Sequence, residues 1–329
     1  MKETVINKQT KTTAEKQRSG FADFMKRLVR EKPLGTAGAV IVLIMLFAAI
    51  FAPFISPYKF DEVSITERMQ APSAKHILGT DNLGRDQLSR IIYGARVSLY
   101  VGLGASALNV LVATLLGMIS GYLGGAFDII LQRIIDTIII FPMILLLLSL
   151  MSIVGSGYLQ LISVLGFAGG IGWIRLVRSA VISIKENVYI GAAKSIGGST
   201  RQILWRHIIP NIMPILIIIF SISIAGNILA EASLSFLGFG LPPSVPSWGG
   251  MLSGNGRQYM YGAPWLAIWP GLALSLAVYG VNMWGDAIRD LLDPRLKGGV
   301  GSYGGKTDFK KIQVFLKSKG IKQDENIVK

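Results

Sequence analysis

Residues 34–55 read LGTAGAVIVLIMLFAAIFAPFI, and no charged side chain stands between Lys32 and Lys59. A helix needs about 20 apolar residues to cross the hydrocarbon core of a bilayer, so this stretch predicts a membrane span. The same test, carried outward, finds more. A second span fits between Arg96 and Asp128, at Val97 to Leu123. From Thr137 to Ile174 charge is again missing, over a length too great for one helix. Gly155-Ser156-Gly157-Tyr158 is a turn signal in its middle. It divides the run into a third span, Ile129 to Val154, and a fourth, Leu159 to Val177. A fifth is expected at Ile208 to Ala230 and a sixth at Pro264 to Ile288. The fold class is therefore all-α integral membrane, with six transmembrane helices: one N-terminal span at 34–57 and a five-span core within 96–290.

Composition agrees and narrows the function. Hydrophobic residues make up 51% of the 329-residue chain and charged residues 16%. There is no cysteine, which excludes disulfides, thiolate nucleophiles and Cys-ligated metals. The only histidines are His76 and His207, assigned to opposite sides of the membrane, so no metal site and no cofactor are expected. Neither H-E-x-x-H nor G-x-S-x-G occurs, which leaves an intramembrane hydrolase without its groups.

The net charge of +14 is concentrated at the two ends and in a central insert. In a membrane protein, basic ends report orientation in the bilayer rather than nucleic acid. Residues 1–33 carry nine Lys/Arg and the stretch after Asp286 carries ten, whereas the loop at 231–263 carries only Arg257. The positive-inside rule places both termini and the insert at 181–209 in the cytoplasm, with loops 58–95 and 231–263 outside. Loop 58–95 fits this least, because it holds Lys59, Arg68, Lys75, Arg85 and Arg90 against five acids. In the N-terminal arm, 1–33, Phe21, Phe24, Met25, Leu28 and Val29 are expected on one helical face against Lys26, Arg27 and Arg30, an interfacial helix on the inner leaflet. The arm is long and polar and no A-x-A site follows span one, so a cleaved signal peptide is not expected. The tail at 291–329 carries Phe309, Ile312, Phe315 and Leu316 amid lysines, either as a second surface helix or as a disordered tail.

The insert reads Gly191-Ala192-Ala193-Lys194-Ser195-Ile196-Gly197, then His207-Ile208-Ile209-Pro210-Asn211. Ala192, Ala193 and Gly197 permit close backbone approach. Ile196, Ile203 and Leu204 are expected as an apolar stripe, with Lys194, Arg201 and Arg206 left in water. Pro210 suits the first turn of the next helix. By spacing alone this is either an ordinary amphipathic loop helix or a helix held by a soluble partner.

The insert resembles the coupling loop of ABC-importer permeases, whose pattern is Glu-Ala-Ala-x-x-x-Gly, a basic helix and an Ile-x-x-Pro-like ending. Ala192, Ala193, Gly197, Ile208 and Pro210 match; Gly191 stands where the family has Glu. Ahead of span two, His76-Ile-Leu-Gly79-Thr80-Asp81-Asn-Leu-Gly84-Arg85-Asp86 is similar to the signature of the second permease subunit of dipeptide, oligopeptide and nickel importers. Glu231-Ala-Ser-Leu-Ser235-Phe236-Leu-Gly238, Pro246-Ser-Trp248-Gly249, Gly285-Asp-Ala-Ile-Arg-Asp290 and Asp293-Pro-Arg-Leu296 resemble the same subunit. The resemblance covers about residues 20–297. It implies a lipid-embedded permease with a homologous second permease, cytoplasmic ABC ATPases docked on the coupling helix and an external substrate-binding protein. Glu231, Ser235, Phe236 and Trp248 would then stand in the outer loop, either as rigid packing or near the path entrance.

The alternative class is an ion-coupled secondary transporter, which would need internal repeats and ligand groups at mid-membrane. Asp136 in span three is one candidate; pairing with Arg133 is the structural reading. A membrane scaffold or sensor would need a cytoplasmic signalling domain, for which no stretch is long enough. Gly304-Gly-Lys306-Thr307 fails as a phosphate loop because Val300 occupies the position that requires glycine. ATP therefore belongs to a partner.

Overall fold

The computed structural model describes residues 27–292. The chain divides into a unit reaching Arg289 and a second unit from Asp290; the described part lies almost wholly in the first. Phe21, Phe24, Met25, the C-terminal tail and the Gly304–Thr307 segment fall outside the described residues. Of the interfacial face expected in the N-terminal arm, Leu28 is buried and Val29 exposed, so these two do not share a face.

Among the described residues the secondary structure is helical, with one isolated bridge between Thr80 and Asp86. Helix α1 is Pro33–Ile55, α2 Gln87–Leu123, α3 Gly125–Ile140, α4 Met143–Val154 and α5 Tyr158–Lys185. The insert holds α6, Val188–Ser195, and α7, Thr200–Ile203, which runs through a wide turn at Leu204–Ile208 into α8, Ile209–Phe236. A short α9, Trp248–Met251, precedes α10, Trp265–Leu292. Five of these runs are long and apolar enough to cross a membrane, and α3 with α4 adds a sixth if the bent pair is one span.

That pair differs from the straight third span expected from sequence. Its axis turns by 95° at Phe141–Pro142. Proline disfavours helical geometry at the residue before it and offers no N–H, so the helix stops at Ile140 and restarts beyond. Helix α2 begins at Gln87 rather than Val97, so the last part of loop 58–95 is helical; the side chain of Asp86 caps it, accepting from the Ser89 amide at 2.8 Å. The fourth span likewise continues past Val177 to Lys185.

The centre of the bundle is α2 against α5. A Cβ at Gly117 would lie 2.7 Å from the Ile174 carbonyl oxygen, and one at Gly121 2.8 Å from that of Arg178. Small residues let these backbones meet closely, which is how helices associate where lipid supplies no hydrophobic drive. Helix α8 joins α2 through a buried hydrogen bond from Asn227 Nδ2 to Ser106 Oγ at 2.9 Å. Helix α1 lies on α2 and α10. Pro53 leaves the Ala49 carbonyl without its i+4 amide, and Arg96 Nε of α2 donates to that oxygen at 2.8 Å. One proline is thereby converted into an interhelical contact.

Candidate functional site

Two regions carry the residues that the sequence singles out: the insert at one end of the bundle and a polar cap at the other.

The insert is tied to the bundle by one face. Ile190, Ile203 and Ile208 are buried in a cluster with Met118 and Tyr122 of α2, Val177 and Val181 of α5, and Ile212 of α8. Tyr122 closes the cluster. Lys185 Nζ donates to its carbonyl oxygen at 2.8 Å, and Lys194 Nζ lies 5.3 Å from its ring centroid, a cation–π distance. The opposite face is open. Val188 and Ile196 are 89% and 87% exposed, and Tyr189 and Trp205 are exposed as well, with Lys194, Arg201 and Arg206 around them.

The insert is not one helix through 192–206 but two, divided at Gly197. There φ is +84°, a left-handed conformation that suits glycine, and the helix terminates with Gly197 N–H donating to Lys194 O at 3.0 Å and Gly198 N–H to Ala193 O at 3.0 Å. The break moves Ile196 off the expected stripe: Ile203 is buried while Ile196 faces out. Ala192 is exposed and Ala193 half-buried. Nothing lies within 4 Å of a Cβ placed at Gly191. Pro210 sits just after the wide turn at Leu204–Ile208, and that turn accommodates the ring and the missing N–H within a continuous helical run. An ion-pair group that spacing alone does not give joins α3 to α5 on the side of this end of the bundle. Asp128 of α3 accepts from Arg178 Nε at 2.6 Å and Nη2 at 2.5 Å. Asp136 takes Arg175 of α5 as its close partner, with Arg133 the more distant one at 3.4 Å.

The polar cap assembles the motif ahead of α2 around two buried carboxylates. Asp81 accepts from the Leu83 amide at 2.8 Å, the Arg85 amide at 3.0 Å and Arg85 Nε at 2.7 Å, with Arg90 Nε at 3.9 Å. Asp86, besides capping α2, meets His76 Nδ1 at 2.9 Å. Thr80 Oγ1 donates to Glu67 O at 2.5 Å and accepts from the Gln70 amide at 2.8 Å. Gly79 and Gly84 have φ of +80° and +74°, and both pack against backbone. Lys75 and His76, hydrogen-bonded to Glu67, hold its carboxyl below the usual carboxylate range, and Glu67 in turn raises Lys75. The described residues hold no group of three or more His, Cys, Asp or Glu placed to bind a metal.

Three of the four outer-loop residues are buried. Glu231 and Ser235 lie in α8 and are buried. Glu231 Oε1 accepts from Ser235 Oγ at 2.6 Å, while Oε2 has no hydrogen-bond partner. Trp248 is buried, with Nε1 donating to Ile91 O at 3.1 Å across the slot left by Gly94. Phe236 is exposed. A cleft of about 200 Å³, lined by Arg85, Arg90, Ser235, Pro243 and Asn255 among others, separates cap from loop. A cation at position 231 has no counter-charge in this buried site, so Glu231→Lys should remove the subunit from the membrane fraction, at a cost of several kcal/mol. Glu231→Gln keeps the side-chain shape and should accumulate near the wild-type level; membrane immunoblots and size exclusion in detergent compare the two.

Residues 113–298 match the model of the binding-protein-dependent transport system inner membrane component family. The chain belongs to that family. As such it is a multi-pass permease of the ABC importer type, a transport component. Residues 19–72 match a second model, the N-terminal TM domain of oligopeptide transport permease C. The permease is 39% identical to the dipeptide transport system permease protein DppC of Alkalihalophilus pseudofirmus over 279 residues, 85% of this chain and 91% of that one. It is 37% identical to the glutathione transport system permease protein GsiD of Pectobacterium atrosepticum, over 85% of this chain and 93% of the relative. Against the oligopeptide transport system permease protein OppC of Bacillus subtilis the identity is 34%, over 86% and 92%. The permease thus resembles these proteins along nearly their whole length.

Proposed function

We propose that this permease forms half of the translocation path of an ATP-driven peptide importer, with the insert around α6 as its coupling element. Its relatives are named for dipeptide, oligopeptide and glutathione transport, which favours a peptide cargo over nickel. The insert and both termini face the cytoplasm, and the polar cap faces outside. The partners are a homologous second permease, cytoplasmic ABC ATPases and an extracytoplasmic substrate-binding protein. The chain performs no covalent chemistry of its own.

The observation that carries this reading is the two-faced insert. A helix with Val188, Tyr189 and Ile196 outward, next to Trp205 and three cations, has an apolar patch in the aqueous zone that a soluble partner would cover. Its other face reaches Tyr122 of α2 and Val181 of α5, so a push on α6 is transmitted to the two central helices. Among the outward residues, Gly191, Ala192, Lys194, Gly197, Arg201 and Arg206 form the contact; Ala193 and Ile208 pack inward against the bundle, and Pro210 opens α8. The outer cap, from Gly79 to Asp86, and the exposed Phe236 face the binding protein.

Affinity purification of the tagged chain from its own membranes tests the assembly. Co-purification of a second permease and one or two ATPases is the expected result; a chain that comes alone even after cross-linking would point to an ion-coupled carrier instead. The open space at Gly191 leads to a further expectation. An acid in the first turn of α6 interacts favourably with the helix N-terminus, by up to about 1 kcal/mol. Gly191→Glu is therefore tolerated and raises coupled ATPase activity roughly two- to fivefold; a marked loss of transport in that variant would count against the coupling role.

A further inference from the structure

We propose that Gln132, Asp136 and Arg175 line a water-filled stretch of the translocation path in the half of the membrane nearer the coupling end, an assignment that rests on the permease reading above.

Asp128, Gln132 and Asp136 recur every four residues and occupy one face of α3. Arg175 Nε donates to Gln132 Oε1 at 3.1 Å and a terminal nitrogen of the same guanidinium meets Asp136. Depth follows from helix rise. Ile174, next to Arg175, abuts Gly117 of α2, which stands six residues before the end of that helix at Leu123, about 9 Å along the axis. Asp136 is brought to the same level by its ion pair with Arg175. Half of a hydrocarbon core is about 15 Å, so the cluster stands inside the core on the side of the coupling end.

Charges at that depth belong in a protein interior or in water, not in lipid. This cluster is not interior to the subunit: the side chains of Asp136 and Arg175 are 43% and 44% exposed, and that of Arg133 is 80% exposed. Nor does it suit a dry contact with a second subunit. Two guanidiniums share the one Asp136 carboxylate, and the surplus positive charge needs solvent. The span breaks at Phe141–Pro142, one turn beyond Asp136, and irregular backbone at membrane depth is tolerated where it is buried in protein or lines a wet cavity. From Arg175 toward the coupling end, the exposed positions of α5 are Arg175, Leu176, Ser179 and Ser183, a single helical face with a hydroxyl on each further turn. The opposite side of α3, with Ile130 and Ile134 exposed, is apolar and suits lipid.

The native chain lacks cysteine, so single thiols can be introduced without background on this subunit. The test places Ser179→Cys on the proposed path and Ile130→Cys on the lipid side, each in the full complex in inside-out vesicles. A charged, membrane-impermeant thiosulfonate is the probe, read as mass added to this chain. Only a hydrated thiol ionises and reacts, so Ser179→Cys is expected to react at least about tenfold faster than Ile130→Cys, with a rate that changes when ATP is added. Equal, slow reaction of both thiols in vesicles that retain ATP-driven release of peptide loaded in the lumen overturns the path assignment and leaves the permease reading standing. If no ATPase accompanies the chain and ATP changes nothing, both readings fall together.

Discussion

Gly197→Pro abolishes ATP-driven uptake while the subunit still inserts and assembles. The backbone at Gly197 holds φ at +84°, and proline is fixed near −65°. The substitution also deletes the N–H that ends α6 on the Lys194 carbonyl. No side chain stands in the way, since nothing lies within 4 Å of a Cβ there; the penalty is one of backbone direction and the lost N–H. Proline cannot adopt that φ, so the chain must take another course between α6 and α7, which would displace α6 from Tyr122 without unpacking the spans. Gly197→Ala, which pays about 1–2 kcal/mol for the left-handed conformation, should show a partial loss. Uptake and ATPase rates in reconstituted vesicles, with assembly checked by co-purification, separate coupling from folding. Normal transport in the proline variant would sink the mechanism.

Asp81→Ala is expected to cost the outer cap most of its stability. Arg90 is buried, and Arg85 nearly so, and both lean on the Asp81 carboxylate. The same side chain also satisfies the Leu83 and Arg85 amides. Removing one partner of a buried pair leaves an uncompensated charge, at about 3–5 kcal/mol, and here unsatisfied amides add to it. Little folded subunit should survive detergent extraction, as read by thermal unfolding of the purified complex. Asp81→Asn, which retains an acceptor oxygen but not the charge, should fall between wild type and alanine. A wild-type melting temperature for the alanine variant would mean that Arg85 and Arg90 find other partners.

The spans were legible because one physical quantity decides them: charge is absent over the length of a bilayer. The same quantity is blind to direction. Nothing in the uncharged run around Phe141 distinguishes a straight span from one turned through 95°, although Pro142 was a visible reason to expect a stop. Periodicity misplaced Ile196 because it assumes that a helix continues, and Gly197 ends it. Tryptophan and glutamate near a span end left rigid packing and a path entrance both open, because burial depends on partners distant in sequence. Trp248 finds Ile91 and Gly94, and no local pattern contains that pairing. Arg175 carries the same lesson. Its sequence neighbours include no acid, and its carboxylate comes from a helix 39 residues earlier.

The seating of Trp248 has a mechanical consequence. With Met251 it clusters with Met45 and Ala49 of α1, Ala95 and Leu99 of α2 and Ala277 of α10, pinning three membrane helices at one level. Helix α3, by contrast, contributes a single buried residue, Ile135. Stiffness is thus distributed unevenly: the pinned helices supply a fulcrum, and α3 with its elbow supplies the compliant arm. A stroke delivered through α6 would be taken up by bending on the α3 side, leaving the level of Trp248 nearly at rest.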